Sequence, residues 1–212
     1  FKGRNEKIEI LIIDNNSSDG TKEFLKRFKH PLVQIIFNKK NIGKGGSVKK
    51  GYSLSKGNYV IIFDADLEYK AVSIWELYDK ILTINAPLLL GARKDGYKNN
   101  REKGYFHFYL GVKMLTTLIN ILYGSKLTDS ATCFKLINGD LARKINFSSN
   151  GFSLDFEIIC KVICLGYTVD EITVSYKQRS REQGKKIKAM DGIISLIVIL
   201  SERFKTKKSI LK

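Results

Sequence analysis

Apolar and polar positions fall in blocks along the chain. Residues 8–13 (IEILII) form a short apolar run followed at once by the turn cluster DNNSSDGT, the pattern of a buried parallel strand. Residues 19–29 set Phe24, Leu25 and Phe28 on one side of a helix, and residues 32–37 read as a second strand. Residues 45–56 read as a helix, residues 59–63 (YVIIF) as a third strand ending at Asp64, and residues 72–84 as a helix stopped by Pro87. Residues 88–90 are a fourth strand. Strands separated by helices of this length predict βαβ units and a parallel sheet.

The second half is more helical. Residues 105–123 carry Leu110, Met114, Leu118, Ile121 and Leu122 at amphipathic spacing, and residues 153–165 form a helix ended by Gly166. Residues 172–176 read as a short strand and residues 189–204 as a final helix with a very apolar middle. No repeat or linker interrupts the pattern, so residues 1–212 read as a single domain.

Composition narrows the class. With 43% apolar residues and two prolines in 212 positions, the chain can build a core, which excludes disorder and collagen-like structure. The longest apolar stretch, residues 192–200 (GIISLIVIL), is about half of what a membrane span needs. Three cysteines and two histidines exclude a Cys/His zinc cluster. Cys160 and Cys164, four apart in an apolar helix, read as buried free thiols, which fits a reducing cytosol. The net charge is +16, and residues 176–212 carry eleven basic and three acidic side chains, half of that total. Such a tail attracts phosphate, whether in nucleic acid, lipid headgroups or nucleotides.

Three segments carry chemistry. Asp14 stands directly after a buried strand, where α/β sheets bind ligands, and can accept hydrogen bonds from a base or ribose, while Ser18 and Asp19 read as helix caps. Asn41-Ile-Gly-Lys44-Gly-Gly46 opens a helix whose free N–H groups suit a phosphate, although it matches neither the P-loop nor the dinucleotide fingerprint. Asp64, Asp66 and Glu68 alternate where the third strand ends, so three carboxylates are expected to converge on a cation. Oxygen-only ligands suit Mg²⁺ or Mn²⁺, which in turn bind diphosphates. A phosphatase with an Asp nucleophile is the rival reading, but Leu67 and Glu68 stand where that class carries Thr or Val.

In order along the chain, IIDNNSSDGT, NIGKGGSVKKGY and GNYVIIFDADLEY closely resemble the family 2 glycosyltransferases. The Gly-Ala-Arg at residues 91–93, LTDSATCFKL at 127–136 and YKQRSREQGKKIKAMDGI at 176–193 sharpen the resemblance to dolichyl- and polyprenyl-phosphate sugar synthases. The resemblance spans nearly the whole chain and implies an α/β fold of GT-A type, a Rossmann-like, nucleotide-sugar-binding sandwich with a mostly parallel sheet and flanking helices.

By the same resemblance, Asp14 contacts the nucleotide, with Lys44 a further substrate contact. Asp64 and Asp66, with Ala65 between them, match the DxD pair that meets donor and metal. Asp66 is the direct metal ligand by that match, and Glu68 stands where many members have Gln as a further ligand. Arg93 and Arg101 face the diphosphate or acceptor phosphate, and Arg179 and Lys185 close over the nucleotide sugar. Asp66 and Arg179 carry the catalytic role. The implied reaction is inverting transfer of a hexose from GDP-mannose or UDP-glucose to a polyprenyl or dolichyl phosphate. It needs Mg²⁺ or Mn²⁺ and is expected at the cytoplasmic face of a membrane, held peripherally by the basic, apolar end of the chain. An acceptor phosphate is already ionised at neutral pH, so no enzymic base is required.

Two departures stand out. The family opens with a strand and a Pro-x-Tyr-Asn-Glu motif that this chain lacks, and residue 1 is Phe, so the domain is expected to be incomplete at its N-terminus. Cys133 takes a place where many relatives have Gly. The alternative function is transfer to a sugar or polysaccharide acceptor, for which Asp129 is the candidate base. A nucleic-acid-binding module is disfavoured, because no stacking-aromatic motif accompanies the charge.

Overall fold

A computed structural model describes residues 5–93, 106–177, 179 and 189–212. Arg101 and Lys185 lie outside them. The strands are β1 (Ile10–Asp14), β2 (Val33–Phe37), β3 (Tyr59–Ile61), β4 (Leu88–Ala92), β5 (Lys135–Asn138) and β6 (Val169–Thr173). The helices are α1 (Thr21–Arg27), α2 (Gly43–Leu54), α3 (Ser73–Ile84), α4 (Phe106–Tyr123), α5 (Gly139–Lys144), α6 (Leu154–Cys164), α7 (Ala189–Glu202) and α8 (Lys207–Ile210).

The strands form two sheets. β1 and β2 pair in parallel, Ile10 with Val33 through Asp14 with Phe37. The larger sheet runs β3-β5-β4-β6, with β5 antiparallel to both of its neighbours and β4 parallel to β6. The sheet is thus more mixed than the strand-helix alternation predicts. β5 comes late in the chain and inserts between β3 and β4 instead of extending the parallel order.

Side-chain alternation along these strands divides the core. Leu88 and Leu90 of β4 and Ile137 of β5 face Ile158, Ile159 and Val162 of α6, whereas Leu89 and Leu136 face Leu77 and Ile81 of α3. Each fully buried Leu or Ile contributes roughly 1.5–3 kcal/mol. All five residues of β4 are buried, as expected of a strand covered on both faces. Gly91 is required there, since a Cβ would stand 2.6 Å from the Phe134 ring. α3 stops at Ile84, where left-handed Asn85 donates its N–H to the Ile81 carbonyl and Pro87 cannot continue the helix.

α6 is buried along almost its whole length, and three of its buried residues are charged: Asp155, Glu157 and Lys161. α7 packs on α6 and α4 through Ser195, Ile199 and Glu202. Its other side is apolar and open to solvent, with Met190, Ile193, Ile197 and Leu200 exposed, as are Met114 and Ile121 on α4. Among the described residues no helix is long and apolar enough to cross a membrane.

Candidate functional site

The site forms where β1, β3 and β4 end. Asp14 closes β1, is buried, and accepts the Ser17 N–H at 3.3 Å on both carboxylate oxygens. The chain reverses there through Asn16 in the left-handed region. Neighbouring asparagines tie this turn to the start of α2. Asn15 Oδ1 accepts the Ile42 N–H at 3.0 Å and Asn38 Nδ2 at 3.2 Å, while its Nδ2 donates to Asn41 Oδ1 at 2.8 Å. Sequence reasoning missed Asn15 and Asn38. Their signal was an amide residue directly after each of two strands, in a place where a turn alone would explain it.

Lys44 lies in the first turn of α2. Its ammonium donates to Asp64 at 3.0 Å and Asp155 at 3.3 Å. Burial works against that charge, but Asp155 and Asp64 outweigh it and hold the Lys44 pKa above the ordinary lysine value. Lys135, wholly buried at the start of β5, lies 3.5 Å from the other oxygen of Asp155, and burial lowers its pKa. α2 can come this close because residue 45 is glycine: a Cβ there would meet backbone atoms of Ser149, Asn150 and Gly151 at 2.7–2.9 Å.

The three carboxylates do not converge as expected. β3 ends at Ile61, so Asp64, Asp66 and Glu68 lie in a turn and not on an extended strand, with exposed Leu67 left-handed. Lys44 draws Asp64 to one side, while Asp66 and Glu68 share Arg179 on the other. Arg179 Nη2 lies 2.9 Å from Asp66 Oδ2, and its Nε lies 3.4 Å from Glu68 Oε1. Among the described residues no three His, Cys, Asp or Glu side chains group to hold a metal. Burial raises the Asp66 pKa, the neighbouring Glu68 and Asp64 charges adding to it against Arg179 and the Glu68 amide. Ala65 sits exposed at the tip of the turn.

Arg93 follows β4 directly. It pairs with Asp129, and its guanidinium lies 5.3 Å from the centre of the Tyr176 ring. Asp129 is therefore the counter-ion of Arg93, and its lowered pKa makes it a weaker base. Glu171 of β6 holds the turn before it, accepting the Thr128 N–H at 2.8 Å and the Thr128 hydroxyl. Cys133, a free thiol, is buried in this region, and burial pushes its pKa up.

The structure thus brings Lys44, Asp64 and Asp155 together in one group, Asp66, Glu68 and Arg179 in a second, and Arg93 with Asp129 in a third. Oxygen-only carboxylates flanked by cations at the carboxyl edge of a sheet can hold a divalent ion and the phosphates it bridges.

The model of the family Glycosyl transferase family 2 matches residues 2–145. A protein of Methanocaldococcus jannaschii, whose name describes it as uncharacterized, is 26% identical over 180 residues, 80% of this chain and 76% of its own length. Dolichyl-phosphate beta-glucosyltransferase ALG5C of Trichomonas vaginalis is 33% identical over 144 residues, 64% of this chain but 42% of its own length, so the chain spans less than half of that relative. Among solved structures, glucosyl-3-phosphoglycerate synthase from Mycobacterium tuberculosis, in complex with Mn²⁺, UDP and phosphoglyceric acid, superposes with a TM-score of 0.67 at 12% identity. That superposition covers 92% of this chain and 68% of the synthase, and it bears out the GT-A type of fold.

Proposed function

Because the chain belongs to glycosyl transferase family 2, we propose that it transfers a hexose, with inversion, from GDP-mannose or UDP-glucose to a polyprenyl or dolichyl phosphate. The observation that carries the reading is the Asp66–Arg179–Glu68 group at the sheet edge, with Arg93 on the next parallel strand. The name of the Trichomonas relative supports the lipid-phosphate acceptor.

The group fits a Mg²⁺ or Mn²⁺ ion. Arg179 already stands in as the cation between two carboxylates, and Mg²⁺ is commonly bound by one or two carboxylates with substrate phosphates completing its shell. Asp66 is its proposed ligand, with Glu68 beside it. Held there, such an ion would supply positive charge to offset the negative charge of the diphosphate. Asp14 is the proposed contact for the nucleoside, and Arg93, Arg179 and Lys44 are the proposed contacts for the phosphates, with Lys185 a further candidate by sequence. An acceptor phosphate oxygen attacks the anomeric carbon, the bond from that carbon to the diphosphate breaks, and its electron pair leaves with the nucleoside diphosphate. No proton has to move. That suits a site whose buried carboxylate Asp129 is bound to Arg93, and it favours the phosphate acceptor over a sugar hydroxyl, which needs a base.

The exposed apolar side of α7, with Arg203, Lys205, Lys207 and Lys208 following it, supports a peripheral seat on the cytoplasmic leaflet that holds such an acceptor. The test supplies labelled UDP-glucose or GDP-mannose with vesicles containing either a polyprenyl phosphate or the parent polyprenol. Label is expected in the lipid phase only with the phosphate and Mn²⁺ or Mg²⁺. Transfer to the alcohol, or to neither lipid, overturns the reading.

A further inference from the structure

Glu68 and Asp66 are neighbours with different loads. Every acceptor on Glu68 is taken by the segment after β6. Its Oε2 accepts the Tyr176 hydroxyl at 2.8 Å, its Oε1 accepts the Arg179 backbone N–H at 3.0 Å, and its carbonyl accepts the Lys177 N–H at 2.8 Å. An antiparallel bridge from Tyr69 to Tyr176 locks the same join, and the two rings lie 5.1 Å apart. Pulling Glu68 away would strand a phenol and a backbone amide together. Asp66 makes only a local bond, from the Glu68 N–H to Oδ1 at 3.1 Å, and the Arg179 contact on Oδ2. Arg179 is the most exposed of the three, at 35% against 17% for Asp66 and 13% for Glu68, so its guanidinium can leave while the backbone anchor stays.

We propose that Arg179 is an exchangeable counter-ion of Asp66, displaced when a divalent cation binds there, and that Glu68 is the positioning residue which keeps Arg179 beside the ion and is not its ligand. The proposal rests on the metal reading above. A guanidinium and a divalent ion cannot share Asp66 Oδ2 without strong like-charge repulsion, so loading frees the guanidinium. Because Glu68 still grips the Arg179 amide, the freed side chain remains within one side-chain length of Asp66. A single exchange therefore places a second positive group beside the diphosphate only after the first has arrived.

The test is a Mn²⁺ titration of the full chain without nucleotide, following free Mn²⁺ by electron paramagnetic resonance, with thermal melting to verify folding. Arg179→Gln is expected to bind Mn²⁺ about fivefold more tightly than wild type, since the competing ion pair is gone. Glu68→Ala, which has no oxygen to offer, is expected to bind at least as well as wild type, and Asp66→Asn at least tenfold more weakly. Equal or weaker binding by Arg179→Gln overturns the exchange while leaving the metal reading intact, and a Glu68→Ala loss matching that of Asp66→Asn makes Glu68 a ligand. Absence of Mn²⁺ binding in both wild type and Arg179→Gln, when the titration is repeated with UDP as well as without it, overturns the exchange together with the metal reading. Binding in Arg179→Gln alone supports it.

Discussion

Arg93 grips Asp129 with both arms of its guanidinium: Nε lies 2.6 Å from Oδ2 and Nη2 lies 2.8 Å from Oδ1. The Arg93 backbone N–H adds a third bond to Oδ2 at 3.1 Å. The end of β4 is thereby fastened to the turn that leads into β5. Burial would raise the Asp129 pKa, but the charge and hydrogen bonds of Arg93 outweigh it and hold the carboxyl below its usual range.

Asp129→Ala should destabilise the fold by about 1–3 kcal/mol, because it removes a buried carboxylate that takes three hydrogen bonds from Arg93. Urea unfolding measures this. The pH dependence has a definite sign. A carboxyl whose folded pKa is lowered stabilises above its unfolded value of 3.8 and loses that contribution as pH falls toward the folded value. The gap in stability between wild type and Asp129→Asn should therefore be constant at pH 5–7 and shrink below about pH 4.

Glu157 and Lys161 form a buried pair on α6, 2.7 Å apart. Burial opposes ionisation of Glu157, yet Lys161 and the amides of Ser148 and Ser149 bring its pKa from 4.5 to about 2. That shift is worth about 3 kcal/mol at neutral pH and should disappear between pH 4.5 and 2. Glu157→Gln should show the smaller acid sensitivity in thermal melts, along with a lower melting temperature at pH 7. It should also loosen residues 148–151, which pack on the start of α2, and so weaken nucleotide-sugar binding.

Gly45→Ala should cost about 1–3 kcal/mol through overpacking, since the new methyl meets backbone that cannot swing aside. It should also lower donor affinity by displacing Lys44. Gly151→Ala meets nothing within 4 Å and should stay within about 0.5 kcal/mol of wild type. Equal melting of the two variants would show that the α2 contact is looser than described.

Ile193→Glu with Ile197→Glu places two charges on the exposed side of α7, where these residues are 52% and 59% exposed. Sedimentation with anionic vesicles should fall at least tenfold while the melting temperature stays put. Wild-type binding should weaken as salt rises, because the basic residues beside the patch contribute about 1 kcal/mol each near the surface. Salt-independent binding would refute the electrostatic part.

Strands and helices bearing a clean apolar rhythm were legible: β4 and α3 lie within a residue or two of where the pattern puts them. β5 was not, because Lys135 and the hydroxyl-rich TDSAT before it leave no continuous apolar run. Lys135 is nevertheless wholly buried, its ammonium received by Asp155 and the carbonyl of Thr132. β6 begins at Val169, three residues before the predicted strand, since Asp170 and Glu171 break the apolar run. Glu171 is polar there because it holds Thr128. The candidate residues were legible one by one, through motifs. Their pairing was not, because no spacing rule says that Lys44 will choose Asp64 and Arg179 will choose Asp66.

The antiparallel β5 acts as a spacer between two strands it never lets touch. Since β3 and β4 both run against it, they run with each other, and the turn bearing Asp66 and the residue Arg93 emerge on one side of the sheet. Two strand widths, about 10 Å, separate them. The edge therefore has a direction, with the net-negative Asp66–Glu68–Arg179 group at one pole and the neutral Arg93–Asp129 pair at the other. A bound anion chain that needs a metal at only one of its ends fits this polarity one way round.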